Sequence, residues 1–260
     1  MKAALAQTHI IWENKKANLE QAQRYIESAC NNNAQIIFFP EMSLTGFSMN
    51  TQLTAESELE TLENIRAIAQ KQHIAIGIGW VKRQNTLAEN HYTVIDDKGE
   101  ILSDYIKIHP FSYAKEDQYF QSGNRIGCFD YGTYRWSTFI CYDLRFPELF
   151  QIASKEADII VVPANWPQKR EAHWRTLLQA RAIENQCYIL GINCTGEIGG
   201  LLYHGFTCCI SPQGELLKCQ NDTAGCLYIE LDNDVKRIRE EFPVKLDRKW
   251  EFYARHYTEK

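Results

Sequence analysis

The chain has 260 residues, of which 45% are hydrophobic, 23% charged and 12% aromatic, and its formal net charge at pH 7 is -5. This is an ordinary globular composition, with enough length to bury a substantial core. Acidic and basic residues are interleaved without a Lys/Arg run, so binding to nucleic acid or to an anionic membrane is disfavoured.

Nine cysteines are scattered along the chain, an odd number with no Cys-x-x-Cys pair. Four of them, Cys187, Cys194, Cys208 and Cys209, lie in apolar runs, where a free thiol behaves as a small hydrophobe. The pattern predicts a reducing compartment rather than a disulfide framework. Zinc is the alternative, but the ligand spacing that it requires is missing, so no metal site is predicted.

The N-terminus, MKAALAQTHIIW, does not have the long apolar core and cleavage site of a signal peptide, because Gln7, Thr8 and His9 interrupt it. No run approaches the roughly 20 apolar residues of a membrane span. We therefore expect a soluble cytoplasmic protein.

Apolar runs alternate with segments of helical period through the first half of the chain. A run rich in Ile and Phe, ended by Pro40, is typical of a buried strand. In chain order we predict a strand at 3–7, a helix around 19–29, strands at 34–41 and 73–80 separated by a helix around 59–68, and a hairpin over 91–107 that turns at Asp97-Lys98-Gly99.

The second half repeats this order. The two hairpins have similar turn sequences, PQGELL near Gly214 and DKGEIL near Gly99. Here we predict strands at 135–141, 157–166 and 187–194, helices at 146–156 and 170–186, and a hairpin over 206–219.

This quasi-duplication predicts α/β architecture with parallel strand pairing. Each half would form one sheet with helices on one face only, which leaves an apolar face to be covered. Packing the two sheets against each other covers both faces, so we predict a four-layer α-β-β-α sandwich. A single doubly wound sheet is the alternative, although a Gly-x-Gly-x-x-Gly motif is absent and Gly77–Gly79 is too short for phosphate binding.

No low-complexity linker divides the halves, so residues 1–260 are predicted to form a single domain, with 246–260 as a C-terminal tail. A capped helix is expected to begin at Asp232–Asp234, followed by polar residues typical of a tail that packs on a partner or frays.

Cys141 lies where the strand at 135–141 ends, shortly before a helix that begins near Phe146 with Pro147 in its first turn. The free N–H groups and positive dipole end of that helix would favour a thiolate, and therefore a nucleophile. The alternative is an ordinary strand cysteine, such as Cys208.

Two other residues would reach the same sheet edge. Glu41 directly follows a buried strand, where a carboxylate is costly unless it is hydrogen-bonded, and it would suit a general base. A solvated loop glutamate is the alternative. Lys107, between Ile106 and Ile108, either faces solvent or supplies a fixed cation beside an oxyanion.

Glu41 in FPEMSLTGF, Lys107 in YIKIHPF and Cys141 in ICYDLRFPE resemble the three signatures of the nitrilase superfamily, the carbon-nitrogen hydrolases. They occur in the order of the family, and the resemblance runs from about residue 2 to residue 245. The segment at 164–189 is similar to that of omega-amidases, especially the bacterial branch.

The resemblance implies a Glu-Lys-Cys triad on a four-layer sandwich, usually a homodimer joined through one helical layer, with no metal or organic cofactor. Cys141 would attack an amide carbon to give a thioester and release ammonia, while Glu41 transfers the protons and activates water. Lys107 and the backbone N–H of Tyr142 would hold the oxyanion.

The family often has a second glutamate near the lysine, which Glu116 matches by spacing, with the adjacent Asp117 as the alternative. Omega-amidase substrates such as 2-oxoglutaramate or succinamate carry a carboxylate at the far end, which requires a cation or several donors. Arg145 is one candidate for this cation, although pairing with Asp143 or Glu148 to brace its loop is equally compatible with the sequence.

Phe47, Phe111 and Trp166 follow the segments that carry these residues, so each is a candidate wall of a substrate pocket, with core packing as the alternative. His173 and His204 have no partner that indicates catalysis and are expected to be structural or solvent-exposed.

Three functions are compatible with these features. An omega-amidase that hydrolyses small dicarboxylate monoamides is favoured by the segment NWPQKREAHW. Another amidase of the superfamily, such as an N-carbamoyl amine or deaminated-glutathione hydrolase, would share the triad but not the pocket. A non-enzymatic, thiol-rich binding protein is disfavoured by the intact triad.

Overall fold

The structure is a computed structural model that describes residues 1–232 and 234–258. The strands in these residues are β1 (Lys2–Gln7), β2 (Ile36–Phe38), β3 (Ala75–Arg83), β4 (Ala88–Ile95), β5 (Ile101–Ile106), β6 (Cys128–Tyr131), β7 (Tyr134–Thr138), β8 (Ile159–Ala164), β9 (Tyr188–Asn193), β10 (Thr195–Ile198), β11 (Leu201–Ile210), β12 (Leu216–Asn221) and β13 (Gly225–Glu230). The helices are α1 (Lys15–Asn31), α2 (Thr51–Thr54), α3 (Glu60–Gln72), α4 (Pro147–Ala153), α5 (Glu171–Asn185), α6 (Val235–Glu241) and α7 (Trp250–Thr258).

The strands form two sheets, one with the order β13-β1-β2-β3-β4-β5 and one with the order β10-β11-β9-β8-β7-β6, with β12 paired to β11. In each half three strands pair in parallel, β1-β2-β3 and β7-β8-β9, and the hairpin strands join them antiparallel. The predicted duplication of α/β halves is therefore present.

In the first sheet, alternate residues of the strands divide between two apolar clusters, because successive side chains point to opposite faces of a sheet. Phe38 belongs to the cluster shared with the second sheet, where its ring centroid lies 5.6 Å from that of Trp136. Its neighbour Ile37 packs on the other face, together with Ile26 of α1 and Ile65 of α3. The four-layer α-β-β-α prediction is confirmed, since sheet faces sheet in the middle and helices cover the outside.

Near the C-terminus, β13 and α7 were not predicted, and the predicted helix is present as α6 but without its expected cap. β13 leaves the second half and pairs antiparallel with β1, which occupies an otherwise open edge of the first sheet. α6 begins after Asp234, which makes no side-chain capping bond, and Asn233 lies outside the described residues. The expected tail at 246–260 contains α7, and its last two residues also lie outside the described part.

All nine cysteines are free thiols. Within residues 1–232 and 234–258, none of the helices combines the length and the apolar character needed to cross a bilayer.

The site is positioned by the segments that follow β2, β5, β7 and β8, which meet at one edge of the sandwich. The segment after β2 passes very close to Gly79 of β3: a Cβ atom at Gly79 would lie 2.5 Å from the backbone nitrogen of Met42 and 2.7 Å from the carbonyl oxygen of Pro40. Two hydrogen bonds hold the segment there, from the Ser43 amide to the Gly79 carbonyl and from the Gly79 amide to the Ser43 hydroxyl. Only glycine therefore allows this approach.

Gly79→Ala is expected to lower the free energy of unfolding by about 1–3 kcal/mol, because both clashing atoms belong to the backbone and the chain must move to relieve the overlap. Urea unfolding measures the change. Gly127→Ala is the matched control, since a Cβ at Gly127 meets no atom within 4 Å. Equal stability of the two variants would contradict the close approach.

Candidate functional site

Glu41 lies in the segment after β2 and is completely buried. Its Oε1 accepts hydrogen bonds from Lys107 Nζ at 2.8 Å and from Asn90 Nδ2 at 2.9 Å, and its Oε2 accepts from the backbone N–H of Asn165 at 3.0 Å. Three donors from three different elements thus hold one carboxylate in a single orientation, as a buried charge requires.

Lys107 follows β5 and is 1% exposed, so it is not a solvent-facing lysine. Its ammonium donates to Glu41 and to both oxygens of Glu116, at 3.1 and 2.9 Å, and lies 5.2 Å from the ring centroid of Phe47. Burial acts to lower the pKa of Lys107, but the charges of Glu116 and Glu41 outweigh it and raise the pKa above its usual value. Lys107 is therefore a permanent cation.

Glu116 is the second carboxylate of this cluster, whereas Asp117 is exposed. Besides Lys107, Glu116 accepts from the backbone N–H of Phe111 at 2.5 Å and from Asn90 Nδ2 at 3.2 Å. Burial raises the pKa of Glu116; the charge of Lys107 opposes this effect and that of Glu41 adds to it. Two buried carboxylates thus share one ammonium.

Cys141 begins a 3-10 turn over Cys141–Arg145, in a left-handed backbone conformation with φ of 45°. This conformation is strained for a residue with a side chain, and such strain is typical of nucleophiles presented at a sharp turn. Asp143 holds the turn, since its buried carboxylate accepts from the backbone N–H groups of Ile140 and His109 and from the Tyr105 hydroxyl, at 2.8–3.0 Å.

The pKa of the Cys141 thiol is raised well above its usual value, chiefly by burial and then by the charge of Glu41, with Lys107 acting in the opposite direction. The helix whose start was expected to favour a thiolate, α4, begins only at Pro147, and a 3-10 turn lies between it and Cys141. A thiol whose pKa is raised needs a base before it can act as a nucleophile.

Cys141 opens onto a cavity of about 290 Å³. The residues predicted from the sequence to bind substrate or the oxyanion all line this cavity: Phe47, Phe111, Tyr142, Arg145 and Trp166. The structure therefore brings the predicted residues to one place, with Glu41 and Glu116 buried directly behind Lys107.

Arg145 contacts aromatic rings rather than acids. Its guanidinium lies 4.9 Å from the Trp166 ring centroid and donates a hydrogen bond to His173 Nδ1 at 3.3 Å. Among the described residues it has no acidic partner, so the expected alternative, a brace to Asp143 or Glu148, is not formed.

Sequence reasoning missed several residues of the site. Asn90 on β4 bridges the two carboxylates, and Asn165, after β8, donates its side-chain amide to the Glu41 carbonyl oxygen at 2.6 Å. Asn165 directly follows an apolar strand, and this position could have identified it as a site residue. Asn90 lies inside a strand, where the sequence gives no such signal. Arg170 also lines the cavity, with its guanidinium 5.2 Å from the Phe111 ring centroid.

His204 lies elsewhere and bonds Glu171 at 3.2 Å, as a structural histidine would. The charged side chains that line the cavity in the described part of the chain are all cations: Lys107, Arg145, Lys169 and Arg170. The outer cavity therefore attracts an anion.

Comparison with known proteins agrees with this geometry. The family model described as carbon-nitrogen hydrolase matches residues 2–240. The chain is 31% identical over 252 residues to a 2-oxoglutaramate amidase of Bacillus subtilis (strain 168). The match covers 95% of this chain and 97% of that protein. It is also 31% identical over 250 residues to the omega-amidase YafV of Escherichia coli (strain K12). This match covers 95% of this chain and 96% of that protein.

Among solved structures, XC1258 from Xanthomonas campestris matches with a TM-score of 0.90 and 25% identity, over 96% of this chain and 97% of that one. It is described as a CN-hydrolase superfamily protein with an arsenic adduct in the active site.

Replacing Glu41 by Gln is expected to lower the pKa of Cys141, since the variant removes a buried negative charge beside the thiol. The midpoint pH for alkylation of Cys141 by iodoacetamide, followed by mass spectrometry of its peptide, should shift to lower pH. Lys107→Gln should shift it to higher pH. Exposed Cys219 serves as the internal control, and unchanged midpoints in both variants would show that the three charges are not coupled.

Proposed function

Because this chain belongs to the carbon-nitrogen hydrolase family, and is a hydrolase that acts on amides, we propose the following reaction. The protein hydrolyses the terminal amide of small dicarboxylate monoamides, of the 2-oxoglutaramate or succinamate type, through a thioester on Cys141. The observation that carries this proposal is a single cavity that contains the Cys141 thiol and Lys107 together with two guanidinium groups, Arg145 and Arg170.

In the first half of the reaction, Glu41 takes the proton of the Cys141 thiol while sulfur attacks the amide carbon. The oxyanion that forms is stabilised by Lys107 and by the backbone N–H of Tyr142. Two of the three contacts of Lys107 go to one carboxylate, Glu116, so one N–H group is free to turn to the oxyanion without leaving a carboxylate unpaired.

Collapse of this intermediate breaks the carbon-nitrogen bond, and Glu41 donates its proton to the leaving nitrogen, which departs as ammonia. In the second half, Glu41 takes a proton from water as the water oxygen attacks the thioester. The carbon-sulfur bond then breaks as Glu41 returns this proton to the Cys141 sulfur, and the product acid loses its own proton to solvent and leaves as a carboxylate.

The far end of the substrate would meet Arg145 and Arg170. A guanidinium binds a carboxylate through two parallel hydrogen bonds. Neither side chain has an acidic partner among residues 1–232 and 234–258, and each is held in place by an aromatic ring. These two groups favour a substrate with a distal carboxylate over a neutral amide. The homodimer and the cytoplasmic location stay predictions.

Purified protein is expected to release ammonia from 2-oxoglutaramate and succinamate with a higher kcat/KM than it shows for N-carbamoylputrescine or deaminated glutathione. Ammonia, or the released amine for deaminated glutathione, is the measured product. Cys141→Ala should reduce turnover to the uncatalysed rate at unchanged stability, because loss of a small thiol leaves little cavity. Turnover of only the last two substrates would place the chain in another branch, and no turnover of any amide would refute the proposal.

Arg145→Gln and Arg170→Gln are each expected to lower kcat/KM for succinamate roughly 10- to 100-fold, the effect of losing a charge-assisted hydrogen bond. The same variants should change kcat/KM for butyramide, which has no carboxylate, much less. Lys169→Gln, at the exposed rim, is the matched control and should have a smaller effect. Equal losses on both amides would mean that the guanidinium groups shape the site without binding the carboxylate.

A further inference from the structure

Asn90 lies inside β4 and is 1% exposed. Its neighbours at two-residue spacing, Tyr92 and Val94, belong to the cluster between the two sheets, so Asn90 points into the same space. There its Nδ2 donates to Oε1 of Glu41 at 2.9 Å and to Oε1 of Glu116 at 3.2 Å. One amide group thus connects the proposed base to the second carboxylate.

The orientation of this amide is determined by its partners. If the amide of Asn90 were reversed, its oxygen would face the oxygens of Glu41 and Glu116, which have no proton to donate when ionised. In the observed orientation, Oδ1 is buried and has no hydrogen-bond partner among the described residues. The structure therefore leaves one polar atom unsatisfied in order to place both N–H groups against the carboxylates.

The charges around Glu41 explain why two more donors matter. The groups that face Glu41 from the packed elements are Lys107 after β5, Glu116, the Cys141 thiol after β7, the thiol of Cys194 and the hydroxyl of Tyr203. Lys107 is the single cation in this set. Two carboxylates that share one buried ammonium tend to take up a proton unless other donors stabilise both negative charges.

We propose that Asn90 is a positioning residue: by donating to both Glu41 and Glu116 through one amide, it holds Glu41 directed at the Cys141 thiol and stabilises the negative charge of that carboxylate. The inference goes beyond the proposed function and rests on it in one respect, the role of Glu41 as the base. Asn90 does not line the cavity, so it acts through Glu41 and not through substrate.

A graded series of variants tests this role. Asn90→Ser keeps one donor, Asn90→Ala keeps none, and Asn90→Asp replaces the donor with a third acidic group. We expect kcat to fall in that order, by roughly 10- to 100-fold for Asn90→Ala, the usual effect of losing a hydrogen bond to a charged group. KM for succinamate should stay within a few-fold of wild type. The acidic limb of the kcat/KM profile should move to higher pH, because a carboxylate that loses a donor binds its proton more tightly.

Asn185→Ala is the matched control, because Asn185 is equally buried and hydrogen-bonded, through Ser154 and the Arg181 carbonyl, but lies on α5 away from the site. It should lower the thermal midpoint without moving the acidic limb. Asn90 variants that lose kcat with an unmoved limb, or that keep wild-type kcat, would overturn the proposal.

Protonation of Glu41 can also be followed without any substrate, by infrared titration of the protonated carboxyl band, which is assigned by its loss in Glu41→Gln. The band should appear at higher pH in Asn90→Ala and Asn90→Ser than in wild type. An unchanged midpoint would overturn the role of Asn90 even if the enzyme is active. Absence of amide turnover in wild type would instead count against the proposed function, since the infrared result does not depend on turnover.

Discussion

The buried ammonium of Lys107 between the carboxylates of Glu41 and Glu116 is the interaction on which the site depends. Removal of charged groups from water costs several kcal/mol for each, and that cost is offset only if every charge is paired and hydrogen-bonded. The pairing requires the ends of β2 and β5 and the turn that carries Glu116 to meet at one point. The close approach of the chain at Gly79 also contributes to this pairing, because it places Glu41 within hydrogen-bonding distance of Lys107.

The electrostatics of this cluster also determine the state of Cys141. Burial and then the charge of Glu41 raise the pKa of the thiol, while the charge of Lys107 acts to lower it. A site that holds its sulfur in the neutral form avoids unwanted alkylation and oxidation, which proceed through the thiolate. In the proposed reaction the base is Glu41, the carboxylate that lies beside the thiol. The strained turn and its anchor, Asp143, hold the sulfur in place for that transfer.

The outer part of the cavity is built separately from this chemistry. Arg145 and Arg170 come from a turn and from the residue before α5, and aromatic rings rather than acids support them. Loops can change their cations without disturbing the buried cluster, which is how one fold serves several amide substrates. This division explains why the reaction class follows from the family, whereas the choice of substrate depends on residues outside the shared motifs.

The sequence by itself determined the α/β layers, because hydrophobic period is a local property, and it indicated Glu41, Lys107 and Cys141 through three ordered motifs. The return of β13 to the first sheet was decided by the tertiary structure, because the residues of an edge strand do not specify which strand it pairs with. The same holds for Asn90, because the residues around it in the sequence do not show that its side chain faces two carboxylates. The raised pKa of the thiol likewise depends on distances between residues far apart in the chain, and only folding establishes those distances.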